Sequence, residues 1–176
     1  MISTNPPMDT APPAPLRTAG LAGYRQHSAS STTPMEHTVE ITMKVEGSCH
    51  CGNVTYEAEV DPNSAHVCNC TDCQTLTGSG FRVTVHAPGN AFRLLSGQPK
   101  VYVKVADSGA KRRHSFCPDC GTPVHSTADT ESPTSYSLRV GCLRQRALLA
   151  PKKRNWCVSA LPWAQNIGIL PGNDTQ

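Results

Sequence analysis

Seven cysteines gathered into three short clusters constrain this chain more than any other feature of its sequence. Cys68, Cys70 and Cys73 stand at C-x-C-x-x-C spacing, Cys49 and Cys51 lie upstream in Cys-His-Cys-Gly, and Cys117 and Cys120 lie downstream in Cys-Pro-Asp-Cys-Gly. Thiolates one or two residues apart can turn onto one ion with little backbone rearrangement, and a sulfur-rich tetrahedral set suits zinc. A closed zinc site takes four protein ligands, whereas a catalytic site usually takes three and keeps an exchangeable position, so seven clustered cysteines suggest one site of each kind. The glycines indicate a partition. Gly52 follows Cys51 and Gly121 follows Cys120, and glycine there lets the chain turn tightly enough for backbone N–H groups to face the sulfurs. Two such turns facing each other would gather Cys49, Cys51, Cys117 and Cys120 into a four-sulfur site, leaving Cys68, Cys70 and Cys73 as a three-sulfur site with one position open. A single zinc with spare cysteines is the alternative.

Disulfides fit less well. The cysteine count is nine, an odd number in 176 residues, below the density of a disulfide scaffold, and no hydrophobic signal-like run opens the sequence. The expected location is therefore cytoplasmic. A thioredoxin-like redox pair would place its C-x-x-C at a strand-to-helix junction of a βαβ unit, and strands alternating with long helices are missing from the sequence pattern.

Along the chain, residues 1–42 differ from the rest. Prolines at 6, 7, 12, 13, 15 and 34 among Ser, Thr and Ala leave too little apolar surface to offset the entropy of ordering, so the segment is expected to be disordered. Met43 onward resembles a protein start, which makes an extended reading frame a further expectation for these residues. Residues 43–169 are expected to form one zinc domain, followed by a tail over 170–176. Periodicity in the domain is two. Val54, Tyr56, Ala58 and Val60 alternate with polar residues, as do Phe81, Val83 and Val85, then Val101, Val103 and Val105, then Tyr136, Leu138 and Val140, each reading as a half-buried strand. Turn signals at 61–63, 88–90 and 96–99 divide them, and 156–161 is expected to add a final strand. Helix is expected only over 71–76, capped by Thr71 or Asp72 and ended by Gly78, and over 144–149, stopped by Pro151. No apolar run approaches membrane-spanning length.

Several separated motifs occur together in one order: Gly-Ser-Cys-His-Cys-Gly at 47–52, Cys-Asn-Cys-Thr-Asp-Cys-Gln at 68–74, Gly-Ser-Gly-Phe at 78–81, Phe-Cys-Pro-Asp-Cys-Gly at 116–121, Val-Gly-Cys-Leu at 140–143 and Pro162-Trp163. In this the chain resembles the glutathione-dependent formaldehyde-activating enzyme family, which also includes centromere protein V. The resemblance implies a mainly β fold of tent-like antiparallel sheets and two zinc ions per chain. Cys49, Cys51, Cys117 and Cys120 would hold the structural zinc, and Cys68, Cys70 and Cys73 the catalytic one. It also implies a carbon–sulfur lyase-type activity that joins glutathione to formaldehyde as S-hydroxymethylglutathione. Thr75 stands where the resemblance implies a basic residue.

Other residues read more plainly. His50, His66, His114 and His125 near the clusters are expected to pack around metal sites rather than ligate, with His66 the best candidate for a fourth ligand at Cys68. Cys142 and Cys157 are expected as small buried hydrophobes and Trp156 and Trp163 as core anchors. The runs Lys111–His114 and Lys152–Arg154 are expected to be solvated basic faces that can attract an acidic small molecule. A formal net charge of +3 is a weak footprint for nucleic acid. The competing readings are a non-catalytic zinc module that engages macromolecules through those runs, and a purely structural zinc protein.

Overall fold

The computed structural model describes residues 42–106 and 108–175; the segment expected to be disordered, 1–42, lies outside them except for Thr42. The fold is mainly β, with ten strands and one α-helix among the described residues.

Alternation produces the first sheet. Thr55–Val60 (β2) turns Tyr56, Ala58 and Val60 inward. It pairs antiparallel with Met43–Ser48 (β1) on one side and Phe92–Ser96 (β5) on the other. β1 escapes the period-two reading because one of its two inward positions is Gly47, whose missing side chain is replaced by the Tyr56 ring lying against it. Any Cβ at Gly47 would collide with that ring.

The second sheet has seven strands in the order β10-β3-β4-β9-β8-β7-β6. They are His66–Cys68 (β3), Arg82–Pro88 (β4), Lys100–Val105 (β6), Lys111–Phe116 (β7), Pro123–Ala128 (β8), Ser135–Arg139 (β9) and Lys153–Asn155 (β10). β10 runs parallel to β3 and the other pairs are antiparallel. Its two faces differ in chemistry. Val85, Ala87 and Leu138 join Val45, Val54, Tyr56 and Val60 of the smaller sheet in one buried cluster, and Phe92, His125 and Tyr136 stack beside it with ring centroids 4.2–5.2 Å apart. The opposite face carries polar residues in register: His66 opposite Thr84, Thr84 opposite Arg139, His86 opposite Ser137, and Ser126 opposite Ser137.

Several expectations change. Arg82 and Thr84, expected to face solvent, are buried, because β4 lies inside the sheet and its polar face forms the wall of a cavity. Val101, Val103 and Val105, expected to point into a core, are 41–59% exposed, because β6 is the edge strand and has only β7 beside it. Lys111–His114, expected as a solvated basic face, lies in β7 between two neighbours, with Arg112, Arg113 and His114 partly buried. The final strand falls at Lys153–Asn155 rather than 156–161, where the chain turns through 3₁₀ geometry at Cys157–Ser159. The helix expected over 144–149 is a single 3₁₀ turn, Arg146–Leu148. No helix among the described residues is long and apolar enough to cross a membrane.

Candidate metal centres and the adjoining cavity

Two hairpin turns meet at the first cysteine group. Cys49–Gly52 links β1 to β2 and Cys117–Gly121 links β7 to β8. In each turn the first cysteine's N–H bonds to a carbonyl five residues on, Val54 or Thr122, both at 3.0 Å. The turns close through Gly52 at φ 81° and Gly121 at φ 72°, a left-handed conformation that glycine adopts without steric cost. The Sγ atoms of Cys49, Cys51, Cys117 and Cys120 consequently lie within 4.8 Å of one another, with Cys49–Cys51 at 3.5 Å and Cys51–Cys117 at 3.7 Å. Tetrahedral thiolate ligands about 2.3 Å from a zinc ion would stand roughly 3.8 Å apart, so this group fits such an ion. The Val54 N–H donates to Cys49 Sγ at 3.2 Å. The Thr122 hydroxyl and N–H hold Cys120 down, to about 5, because both donors favour the charged sulfur. The His50 N–H donates to Thr122 Oγ1 at 3.1 Å and braces one turn on the other.

The second group is local. Cys68 ends β3, Cys70 is the N-cap of Thr71–Thr77 (α1), and Cys73 lies in that helix's first turn. The cap is therefore a cysteine rather than Thr71 or Asp72; Cys70 Sγ accepts from the Cys73 N–H at 3.4 Å. α1 ends at Gly78, as expected, with φ 64°. The Sγ atoms of Cys68, Cys70 and Cys73 lie within 4.8 Å of one another, and all three residues are partly buried, with Cys68–Cys70 at 3.5 Å. Hydrogen bonding from the Cys73 thiol holds Cys68 down to about 5 against the opposing effect of burial. The same bond, together with burial, pushes Cys73 up. A proton shared in this way is one that a metal would displace.

These three sulfurs open onto a cavity of about 870 Å³ walled by the polar face of the seven-stranded sheet. Its lining is cationic. Arg82, Arg139, Arg112 and Lys104 contribute to it, while the acidic Asp72 is paired with Lys104. His114 and His86 also line it, and burial pushes both rings below the usual imidazole value, His114 to about 4.

His66 does not join the cysteine group. Its Nδ1 lies 3.0 Å from the Ser64 carbonyl and its Nε2 3.1 Å from Thr84 Oγ1, so both ring nitrogens are engaged elsewhere. His50 is exposed, and His125 packs against Phe92 and Tyr136. Neither lone cysteine is buried as expected: Cys142 is partly buried with its thiol donating to the Pro123 carbonyl at 3.2 Å, and Cys157 is exposed. Trp156 and Trp163 are 64% and 60% exposed rather than core anchors. Trp163 lies over Gly80 and Trp156 at the rim of the cavity. The residues missed from sequence are Arg82 and Arg139, whose parity with Thr84 and Ser137 along the strands was the available signal. Arg112, which also lines the cavity, belongs to the Lys111–His114 run expected to attract an acidic small molecule.

The chain spans less than half of one curated relative, a Penicillium rubens protein named provisionally as a glutathione-dependent formaldehyde-activating enzyme. The match is 28% identical over 87 residues, covering 48% of this chain and 44% of that protein. A crystal structure of a Rhodobacter sphaeroides protein matches 64% of this chain and all of its own with a TM-score of 0.50 at 25% identity. The glutathione-dependent formaldehyde-activating enzyme family matches residues 44–159, which contain both cysteine groups and nearly every strand of the two sheets. That match covers well over half of the sequence, and the chain belongs to the glutathione-dependent formaldehyde-activating enzyme family.

Proposed function

We propose that this protein is a zinc-dependent carbon–sulfur lyase-type enzyme that handles a thiol–aldehyde adduct, with glutathione and formaldehyde as its substrates and S-hydroxymethylglutathione as the product. The observation that carries this reading is the three-sulfur group of Cys68, Cys70 and Cys73 facing a large cation-lined cavity. Two zinc ions per chain fit the two cysteine groups: a structural one at Cys49, Cys51, Cys117 and Cys120, and a catalytic one at Cys68, Cys70 and Cys73. We assign the activity to a single domain over residues 43–169.

Zinc held by three protein thiolates is a poor generator of hydroxide but favours the thiolate form of a thiol that takes its open position. The chain's own residues do the rest. Cys68, Cys70 and Cys73 are set by the end of β3 and the first turn of α1. Gln74 fixes that helix by donating to the Asn69 and Ser159 carbonyls at 2.7 and 2.8 Å. The cations of the cavity attract glutathione, which has two carboxylates against one ammonium. In the reaction the sulfur bonds to the carbonyl carbon and the thiol proton ends on the former carbonyl oxygen; the reverse step breaks that carbon–sulfur bond. Nine cysteines without a disulfide among them suit a reducing compartment, and we place the enzyme in the cytoplasm.

The test compares rates, because glutathione and formaldehyde combine without catalysis. Magnetization-exchange spectroscopy of the two compounds and their adduct should show at least tenfold faster exchange with the protein. Cys70→Ser should remove that acceleration while leaving the protein folded. In cobalt-substituted protein the absorption spectrum should change on adding glutathione. A spectrum unresponsive to every small thiol overturns the reading; a response to other thiols but not glutathione discards only the substrate.

A further inference from the structure

Two arginines are buried on the cavity wall with part of their hydrogen-bonding capacity unused. Arg82 is 4% exposed and Arg139 is 7% exposed. They stand on the adjacent strands β4 and β9, where Thr84 is paired with Arg139 and Arg82 is the next residue along β4 on that face. The Nε of each is buried without a hydrogen-bond partner among the described residues. Arg139 places one Nη 3.3 Å from His114 Nδ1, and a neutral imidazole there offers no negative charge. Among the described residues, the acidic side chain lining the cavity is Asp72, and it is paired with Lys104.

A buried guanidinium with an unsatisfied N–H is expensive unless an anion completes it. A divalent ion held by three thiolates leaves the cysteine group at −1, against +2 from the two arginines. The described lining therefore carries net positive charge at neutral pH even with a divalent ion on the cysteines. Arg139 titrates near 9, lowered by burial and by Arg82, and so stays charged at that pH. The planar fork of arginine matches a carboxylate, with two parallel N–H donors to two oxygens.

We propose that Arg82 and Arg139 form a carboxylate-binding subsite that selects acidic thiols and turns their sulfur toward Cys68, Cys70 and Cys73. This rests on the reading of the cavity as a thiol site and assigns it a specificity that the cysteines cannot supply. Thr75, where a basic residue is implied by family resemblance, is exposed on α1; the charge is provided instead from the sheet.

The experiment is isothermal titration of the metal-loaded protein with S-methylglutathione, which keeps both carboxylates but has no thiol, and with its diethyl ester. The acid should bind at least tenfold more tightly than the ester, and the difference should shrink with added salt. Arg82→Gln and Arg139→Gln should each abolish the preference with zinc content and circular dichroism unchanged. A preference for the acid as large as the parent's in these variants overturns the proposal, and so does loss of zinc from folded variants, since the arginines would then only balance the metal–thiolate charge. If the glutamine variants do not fold, Arg82→Lys and Arg139→Lys keep the charge but lose the fork: several-fold weaker binding supports the subsite, and full affinity overturns it. S-methylglutathione cannot form the adduct, so the two readings fail separately. Binding that depends on the arginines without faster exchange removes the thiol–aldehyde chemistry alone, and faster exchange without such binding removes the subsite alone.

Discussion

The four-sulfur group joins turns 66 residues apart in sequence, whereas the three-sulfur group is confined to Cys68–Cys73 at the junction of β3 and α1. The first ties the β1–β2 hairpin of the small sheet to the β7–β8 hairpin of the large one. The second ties a strand to the helix that immediately follows it. Closing a long loop removes more chain entropy than closing a local turn, by about 0.6 kcal/mol per doubling of length, so identical ligands can serve different ends. On the proposed assignment, a metal at the first group would hold the sheets together, and a metal at the second would add little to the fold and face a ligand in the cavity. Burial differs between them. Cys49 and Cys117 are buried among core residues, while Cys51 is exposed and Cys120 partly buried. All three cysteines of the second group are partly buried and line the cavity.

Substituting one sulfur in each group gives the largest contrast. Cys49→Ser or Cys120→Ser should unfold or aggregate the domain, because the binding free energy of a structural zinc, about 10 kcal/mol or more, is folding free energy and is comparable with the whole stability of a domain, about 5–15 kcal/mol. Cys70→Ser should leave a cooperatively melting protein with one zinc fewer. Circular dichroism with metal analysis on the same samples decides it. If both substitutions destroy the fold, the two groups do not divide the labour as proposed.

The contrast was partly legible in the residues themselves. Gly52 and Gly121 marked the paired turns because a left-handed conformation there needs glycine. Tyr56, Ala58 and Val60 marked β2 because one of its faces is buried and the other is not. Where both faces of a strand are covered, alternation misleads: Arg82 and Thr84 read as solvent-facing because sequence cannot distinguish a cavity wall from bulk water. β7 was hidden for the same reason, its Lys-Arg-Arg-His run being too polar to register as an inner strand. Trp156 and Trp163 were misplaced because size alone suggests burial, while their positions follow from where the chain turns after β10. The cysteine spacings carried the two clusters that could hold metal, but the cationic wall beside the second arises from sheet register, which only the folded chain displays.

Two histidines extend the contrast to the faces of the large sheet. His125 is on the core side and His114 on the cavity side, and burial lowers both from the usual 6.5 to about 4. The unfolded chain therefore binds a proton near pH 6.5 that the folded chain refuses until about pH 4. Stability is intact above 6.5 and falls as pH drops through that window. For His125, only 8% exposed, the loss is about 3 kcal/mol. His125→Phe should flatten the decline in denaturant midpoint between pH 6.5 and 4, and His114→Phe should flatten it less. Zinc content followed alongside separates this effect from acid release of metal. Equal flattening by both variants would mean that the two faces are equally sealed from water.

The smallest expected effect is at the cavity rim, and its sign is informative. Trp156 has φ 57° and ψ 44°, a left-handed conformation that costs a bulky residue about 1–2 kcal/mol. Its side chain is 64% exposed, so removing it forfeits little packing. Trp156→Gly relieves the backbone strain but gains roughly 0.5–1 kcal/mol of unfolded-state entropy, and the two effects should nearly cancel. Trp156→Ala keeps the strain and loses only the exposed indole, so it too should stay within about 1 kcal/mol of the parent and of the glycine variant. Chemical denaturation of the three proteins measures both differences. A glycine variant several kcal/mol below the parent would show that this rim supports the fold as the four-sulfur turns do, and the distinction between a holding region and a ligand-facing region would fail where it is easiest to see.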